Sequence, residues 1–280
     1  MTIAADDAVQ NQAERARVFR ALHEGPGPLL LPNPWDVGSA RLLASLGFTA
    51  LATTSGGFAA TLGRLDGAVT RDEALEHAAA IAAATTLPVS ADLENAFADE
   101  PAGVAETIGL AAAAGLAGCS VEDFTRRPDE PIYDLGLARE RVAAAAAAAK
   151  AAPGPLVLTA RAENYLHGRP DLADTIRRLQ AYQEAGADVL YAPGLASLAD
   201  IRDVVSAVDR PVNVLTLAGA PSVPQLAAAG VRRISVGSAF SNAALGAVVT
   251  AARELQEQGT YSFLDQAATG RAAATSAFRP

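Results

Sequence analysis

The sequence predicts an α/β fold, a (β/α)8 barrel of the TIM type, from three observations. Short apolar runs alternate strictly with helical segments, and such alternation is typical of a parallel sheet. Eight of these units can be counted, which is the number that closes a barrel. The chain has 280 residues, near the usual length of such a barrel. An open doubly wound sheet is the runner-up, less favoured because no glycine-rich nucleotide loop follows the first strand.

One local pattern, found four times, positions the strands. Residues 44–57, 112–123, 183–194 and 227–238 each contain a helix end, a glycine suited to the left-handed turn, and a short apolar run. Such a run is too short for another helix and is predicted to be a strand. The eight predicted strands span 28–32, 49–53, 88–92, 118–122, 156–161, 188–192, 211–215 and 233–236. The helices that follow them span 36–46, 70–86, 101–115, 134–151, 171–186, 197–207, 222–229 and 237–256.

The units are expected to form a single barrel domain over residues 1–280. An N-terminal helix at 1–22 precedes the first strand, and a helical C-terminal extension occupies 257–280. The extension contains "YSFLD", which is apolar enough to pack against another surface. We expect this segment to reach a partner subunit.

Composition limits the classes of partner and compartment. The formal net charge is −9 and no basic cluster stands out, so nucleic acid is not expected to bind. The single cysteine, Cys119, excludes a disulfide within the chain and is predicted to be a buried apolar residue. The sequence shows neither a signal peptide nor an apolar run long enough to span a membrane, so we expect a cytoplasmic protein without a membrane partner.

Acidic side chains gather where predicted strands end. In a barrel of this type the site forms at the carboxyl ends of the strands. Asp92 and Glu94 end the third strand, Glu122 the fourth, and Asp66 lies in the loop after the second. Neighbouring carboxylates need a cation, and a hard divalent ion such as Mg²⁺ prefers oxygen ligands. No His or Cys pair stands at a spacing suited to zinc.

Other strand ends carry groups suited to anions. Arg161 closes the fifth strand, and its planar fork can hold a carboxylate or pair with Glu122 or Glu163. The segment "TTSGG" at 53–57 offers backbone N–H groups beside Ser55. Of the three histidines, His23 and His77 are expected at the surface or in packing. The third, His167, follows the fifth strand and could face the mouth of the barrel.

The strand-end motifs, taken in order, resemble the isocitrate lyase and phosphoenolpyruvate mutase superfamily. They are "PNPWD", "TTSGG", "GRLDG", "SADLEN", "SVED", "TARAEN", "PVNVL" and "SVGSAF", and they cover roughly residues 25–250. The similarity is to oxaloacetate decarboxylase and 2-methylisocitrate lyase-like members. It implies a barrel that binds Mg²⁺, or alternatively Mn²⁺, together with a 2-oxo acid or its enolate.

The resemblance also assigns site residues. It implies metal binding by Asp92, Glu94, Glu122 and Asp66, with Glu94 replacing an Asp of the family motif. It places Trp35, Ser55, Gly56, Gly57, Asp92, Arg161 and Asn213 around the substrate. The expected catalytic residues are Arg161, Glu122, Asp66 and Tyr191. It further implies a homotetramer, a dimer of dimers, in which subunits exchange the last barrel helix.

Two departures from the family pattern narrow the activity. The loop "FTRRPDEPIYD" stands where the lyases carry a catalytic Lys-Cys-Gly-His segment, which argues against cleavage of isocitrate or methylisocitrate. Tyr191 stands where the mutases place a His. The favoured activity is a Mg²⁺-dependent carbon–carbon lyase or decarboxylase that acts on a small 2-oxo or 2-hydroxy dicarboxylic acid through an enolate. The alternatives are carbon–phosphorus mutase or hydrolase chemistry on a phosphonopyruvate-type acid, and a non-catalytic 2-oxo acid binding protein.

Overall fold

The structure, a computed structural model, describes residues 2–279, with side chains from residue 9 onward. Eight parallel strands form one sheet in the order β1-β8-β7-β6-β5-β4-β3-β2. The strands are β1 (Leu29–Leu31), β2 (Leu51–Ala52), β3 (Val89–Asp92), β4 (Gly118–Glu122), β5 (Val157–Arg161), β6 (Val189–Tyr191), β7 (Val212–Leu215) and β8 (Arg233–Ser235). Each lies within a predicted strand, and the predicted barrel architecture is confirmed.

The barrel is nearly closed between its first two strands. The backbone N–H of Ala52 donates to the carbonyl of Pro32 over 3.1 Å. The side-chain amide of Asn33 donates to the carbonyl of Thr53 over 2.9 Å. These bonds join the carboxyl ends of β1 and β2, at the end of the barrel where the predicted site lies.

Helices surround the strands and also cover one end of the barrel. They are α1 (Thr2–Leu22), α2 (Val37–Ser45), α3 (Ser55–Thr61), α4 (Arg71–Ala83), α5 (Pro101–Ala113), α6 (Leu135–Ala151), α7 (Leu172–Glu184), α8 (Leu198–Ala207), α9 (Val223–Ala228), α10 (Ala239–Glu257) and α11 (Leu264–Ala277). Met1 and Pro280, the ends of the predicted terminal segments, lie outside the described residues. Helix α3 was not predicted, and the other helices agree with the predicted segments.

Helix α1 covers the amino-terminal end of the barrel. Phe19 is fully buried and packs with Leu29, Val157 and Val189 from the strands. A Cβ on Gly118 would lie 2.8 Å from the Phe19 ring and 2.7 Å from the carbonyl of Val157, so this position has no room for a side chain. A larger apolar cluster fills the space between the strands and the outer helices.

The last two helices leave apolar surface uncovered. Among the described residues of α10 only Ser241 is buried, while Leu245, Val248 and Val249 are exposed by 50%, 65% and 49%. Helix α11 has no buried residue and packs against α2. No described helix is both long and apolar enough to cross a membrane.

Candidate active site

A cavity of about 190 Å³ lies at the carboxyl ends of the strands. Barrels of this kind carry their sites at this end because eight strand-to-helix loops converge there. Six of the predicted site residues line the cavity, namely Ser55, Asp66, Asp92, Arg161, Tyr191 and Asn213. The structure therefore brings together groups that are up to 158 positions apart in the sequence.

Strand register places several of these side chains in one row. The pairing sets Glu122 beside Arg161, Arg161 beside Tyr191, Tyr191 beside Asn213, and Asn213 beside Arg233. Level positions on neighbouring parallel strands present their side chains to the same face of the sheet. We call these five residues the register row; all of them except Glu122 line the cavity.

Arg161 is the centre of the charged part of the site. Its Nη1 donates to Asp92 over 2.9 Å, its Nη2 lies 3.1 Å from Glu122, and its Nε donates to Glu163 over 2.7 Å. The ion pairs with Glu122 and Glu163 that the sequence suggested are both present. The three neighbouring carboxylates hold the pKa of Arg161 well above its usual value despite burial, so the guanidinium stays charged.

Glu94 lies beside the cavity wall rather than in it. Its carboxylate pairs with Arg126 from the loop after β4, and its side chain is only 8% exposed. Burial, with a further contribution from the charge of Asp92, raises the pKa of Glu94 to about 7. Both partners have left-handed backbones, with φ of 51° at Glu94 and 63° at Arg126. Such strain in non-glycine residues is concentrated at functional sites.

Asp92 and Asp66 are the two predicted metal ligands that reach the cavity. One oxygen of Asp92 accepts from Arg161, and the other accepts from the backbone N–H of Ser55 over 3.1 Å. Asp66 is exposed and accepts from the N–H of its neighbour Gly67 over 3.0 Å. The N–H of Ser55, in the segment that the sequence predicted to offer N–H groups to an anion, is therefore already bonded to Asp92.

The "TTSGG" segment leads from β2 into helix α3, which begins at Ser55. The Thr54 hydroxyl caps the helix by accepting from the N–H of Gly57 over 3.3 Å. A Cβ on Gly57 would lie 2.5 Å from Thr54 and 3.0 Å from Trp35, and one on Gly56 would lie 3.0 Å from Asp66. Trp35 does not line the cavity as described; it packs behind Gly57, and its carbonyl contacts His77 Nε2 over 3.0 Å.

Tyr191 is the phenol of the register row. Burial raises the pKa of Tyr191 to about 12, and its ring lies 5.2 Å from the guanidinium carbon of Arg161. The hydroxyl therefore keeps its proton through the physiological pH range and can act as a hydrogen-bond donor.

The three histidines and the single cysteine lie outside the cavity wall. The ring of His167 stacks on Phe124 with 3.6 Å between centroids, and its Nε2 is 3.8 Å from Glu163. His23 is buried below the barrel, and His77 stacks on Phe58. Cys119 is fully buried in β4, and burial raises the pKa of its thiol to about 12.

Three polar residues of the site were not found from the sequence. Asn33 accepts from the N–H groups of Val236 and Gly237 over 3.0 and 2.9 Å, which joins β1 to the loop after β8. Arg233 lines the cavity, and Arg126 forms an ion pair with Glu94. Only Arg233 carried a usable signal, because strand alternation places it on the same face as Ser235.

The charge of the acidic side chains around the cavity suits a cation, although these side chains do not surround a single point. Four carboxylates of low exposure, those of Asp92, Glu94, Glu122 and Glu163, face two guanidinium groups, those of Arg161 and Arg126. Burial raises the pKa of Glu122 well above its usual value, and the charges of Glu163 and Asp92 add to this effect. Among the side chains of residues 9–279 no three acidic, His or Cys groups converge on one point. Mg²⁺ needs only one or two carboxylates beside water and substrate oxygens, so the residues present fit this ion.

Comparison with known proteins identifies the family. The model of the phosphoenolpyruvate phosphomutase family matches residues 19–256. The chain belongs to this family. The predicted superfamily, whose members are lyases and mutases, is thereby confirmed.

Individual members of the phosphoenolpyruvate mutase family show the range of activities. A candidate lyase/mutase from Burkholderia cenocepacia has a crystal structure that matches with a TM-score of 0.94 and 54% identity, over 97% of this chain and 98% of that one. Oxaloacetate decarboxylase of Chromohalobacter salexigens is 30% identical over 89% of this chain and 88% of its own. For 2-methylisocitrate lyase of Escherichia coli the identity is 31%, over 70% and 68%.

Proposed function

We propose that this protein is a Mg²⁺-dependent carbon–carbon lyase or decarboxylase that acts on a small 2-oxo or 2-hydroxy dicarboxylic acid through an enolate. The single observation that carries the proposal is the arrangement around Arg161. Its guanidinium faces the cavity while three carboxylates surround it, so the site presents both a cation for substrate acid groups and an excess of negative charge for a metal. The similarity to an oxaloacetate decarboxylase supports this reading.

The metal would be held by Asp92 and Asp66, the two acids on the cavity wall. Glu94 and Glu122 stand directly behind them and would contribute their charge through water. When bound, the ion supplies electrostatic stabilisation of the negative charge that develops on the oxygen of a 2-oxo acid. Mn²⁺ has the same preference for oxygen ligands and would substitute for it.

The chain's own residues would orient the substrate and supply protons. Arg161 would hold a substrate carboxylate, because its fork offers N–H donors beyond the three already used. The α3 start, Ser55 to Gly57, would border the same group. Asn213 would donate or accept beside the substrate carbonyl. Tyr191, or a water, would protonate the enolate carbon after the carbon–carbon bond has broken, since the phenol keeps its proton at neutral pH.

Two other activities are outcomes of the same test. The match to the phosphoenolpyruvate phosphomutase family model keeps carbon–phosphorus chemistry open, and Tyr191 in place of the mutase His weighs against it. A protein that binds 2-oxo acids without turnover would bind the ligand and release no product.

A substrate panel with and without Mg²⁺ tests the proposal. The panel contains 2-oxo acids, 2-hydroxy diacids and phosphonopyruvate, and the readouts are keto-acid products, CO₂ and inorganic phosphate. We expect Mg²⁺-dependent product from a diacid, and no phosphate. Phosphate release would indicate the mutase or hydrolase activity, whereas Mg²⁺-dependent thermal stabilisation without any product would indicate the binding protein.

The metal ligand is tested by a pair of variants. Asp92→Ala should abolish Mg²⁺-dependent stabilisation by 2-oxo acids and leave the far-ultraviolet circular dichroism unchanged. Asp72→Ala removes an acid whose side chain is 86% exposed on α4, and it should behave like the wild type. Unchanged Mg²⁺ and ligand affinity in Asp92→Ala would contradict the metal site.

The subunit arrangement is part of the proposal. The exposed apolar residues of α10 would be covered by a partner subunit, and α10 and α11 would be exchanged within a homotetramer, a dimer of dimers. This arrangement would remove the apolar residues of α10 from water, and contiguous exposed apolar surface commonly marks an interface between proteins.

A further inference from the structure

Arg233 is an arginine buried inside the barrel and turned toward the cavity. It is the first residue of β8 and the last member of the register row. It is 4% exposed, yet it lines the same cavity as Arg161 and Tyr191. A buried guanidinium without a carboxylate partner costs free energy, because its charge is removed from water without compensation.

No carboxylate pairs with Arg233 in the part of the chain that the structure describes. Its Nε donates to the Asn213 side-chain oxygen over 3.0 Å, and its Nη2 donates to the Thr159 hydroxyl over 2.9 Å. Its Nη1 lies 3.5 Å from the imidazole nitrogen Nε2 of His23. All three partners are neutral when His23 is neutral, whereas Arg161 and Arg178 are each paired with carboxylates. The buried Arg141 also lacks a carboxylate among the described residues, but it lies outside this cavity and donates to the backbone carbonyls of residues 95, 98 and 99.

The surroundings of Arg233 leave its charge uncompensated. Burial, together with the charge of Arg161, lowers the pKa of Arg233 to about 10. At neutral pH the group is therefore still charged. A guanidinium carries five N–H donors, and the three contacts leave two of them for a group in the cavity.

A purely structural role would not require a cation here. Thr159, Asn213 and His23 could be joined by a neutral amide or by packed apolar side chains without the free energy cost of a buried charge. An anionic ligand in the cavity would supply the missing counter-charge, and its binding would recover that cost. The excess of negative charge around Arg161 lies toward β3, β4 and β5, on a different part of the wall from Arg233.

We propose that Arg233 binds a second acidic group of the substrate, so that the cavity selects dianions over monoanions of the same length. The proposal rests on the proposed function, in which the first acid group lies at Arg161 and the metal. It adds that Arg233, deeper in the barrel, receives the distal carboxylate. Arg233 is thus a specificity-determining residue that the metal and Arg161 do not replace.

Two pairs of matched ligands test the selection. Succinate with butyrate, and 2-oxoglutarate with 2-oxopentanoate, have equal carbon counts and differ only in a carboxylate replaced by a methyl group. Affinities are measured by titration calorimetry with Mg²⁺ present. The wild type should bind each diacid about ten- to hundredfold more tightly than its monoacid, the usual effect of a charge-assisted hydrogen bond in a dry site.

Arg233→Met should bring the affinity for each diacid down to that of its monoacid and leave the monoacid affinity unchanged. Arg232→Met is the matched control, because Arg232 is the exposed neighbour and donates to the carbonyl of Gly25. An equal weakening of both ligands in Arg233→Met would indicate a structural role and overturn the proposal.

A second variant covers the case in which Arg233→Met fails to fold. Asn213→Asp keeps Arg233 and places a carboxylate against its Nε, so the protein should be at least as stable while its diacid preference falls. An unchanged preference would overturn the proposal. A wild type that binds diacids and monoacids equally would overturn it and leave the proposed function intact, whereas a wild type that binds no acid at all would overturn both.

Discussion

Glu94 and Arg126 form an ion pair between the loops that follow β3 and β4, and both residues have left-handed backbones. The guanidinium of Arg126 also lies 5.3 Å from the ring of Phe97, which shares the left-handed conformation with a φ of 55°. The loop "FTRRPDEPIYD" after β4 is therefore held against the end of β3, next to the cavity.

Glu94 should make the metal-free protein less stable at high pH. The pKa of Glu94 is about 7 in the folded protein, against an ordinary value of 4.5. Its contribution to the free energy of unfolding is therefore fully present below pH 4.5 and is lost as the pH rises through 7. The loss amounts to at most about 3 kcal/mol. Urea unfolding in EDTA at pH 5 and pH 8 should show a smaller fall for Glu94→Gln than for the wild type. Glu106→Gln, at a carboxylate that is 61% exposed, is the control, and identical pH dependence in Glu94→Gln and wild type would contradict the prediction.

Arg126→Met should lower the free energy of unfolding at pH 8 by about 1–3 kcal/mol. The reason is that Glu94 would remain buried without its partner, and its pKa would rise further. Arg127→Met removes the next residue along the loop, whose side chain is 50% exposed, and it should change stability little. Urea unfolding of both variants is the measurement. Equal losses of unfolding free energy would show that the ion pair of Arg126 with Glu94 does not stabilise the fold.

Gly57→Ala should destabilise the protein by about 1–3 kcal/mol. The added methyl group would lie 2.5 Å from Thr54 and 3.0 Å from Trp35, so the helix start would have to move. Gly109→Ala in α5 has no heavy atom within 4 Å of the added Cβ and should raise stability by about 0.5–1 kcal/mol. Thermal and urea unfolding check both values, and a neutral Gly57→Ala would mean that α3 can shift freely.

His23 should make the protein less stable at low pH. Burial and the charge of Arg233 lower the pKa of His23 to about 4, below the ordinary 6.5, while Asp188 acts in the opposite direction. Below pH 6.5 His23 is therefore protonated in the unfolded chain, whereas in the folded chain it stays neutral until about pH 4. The contribution of neutral His23 to the free energy of unfolding is fully present above pH 6.5, and the free energy falls by up to about 3 kcal/mol toward pH 4. His23→Gln should flatten the unfolding free energy over this range, and an unchanged slope would exclude His23 as its source.

Val248→Asp should break the assembly if a partner subunit covers α10. Val248 is 65% exposed in the single chain, so a charge there is harmless in a monomer and expensive in an interface. Light scattering after gel filtration should give a lower mass for the variant than for the wild type. Gln256→Asp, on an exposed polar position of the same helix, should keep the wild-type mass. A monomeric wild type would refute the exchanged arrangement.

The fold could be predicted from the sequence because each barrel unit repeats a local signal. The glycines at 115, 186 and 230 end their helices with φ between 81° and 107°, as the helix–glycine–strand pattern predicted. Helix α3 was missed because its seven residues begin with Ser-Gly-Gly, a composition that favours turns. The Thr54 cap is a local helix-start signal that the two glycines outweighed, whereas the packing of Gly57 against Trp35 is a contact that no local pattern encodes.

The site could be predicted only as far as strand ends define it. Asp92, Arg161, Tyr191 and Asn213 follow from strand position and resemblance, because carboxyl ends of strands converge. The pairing of Glu94 with Arg126 depends on two left-handed loop residues and could not be read from spacing. Arg233 was overlooked because it begins its strand, and only the stagger of the barrel brings it level with Tyr191 and Asn213.

Cys119 gives the protein an internal reporter of movement in its outer helix layer. It is the only thiol in the chain, it has no exposed surface, and its pKa of about 12 keeps it protonated. Its side chain belongs to the apolar cluster between the strands and the outer helices, so a thiol reagent can reach it only when that layer opens behind β4, the strand between those that hold Asp92 and Arg161. The rate of its modification therefore measures how often helices move away from the strands behind the active site, and a ligand that stabilises the closed barrel should slow the reaction in proportion to its occupancy.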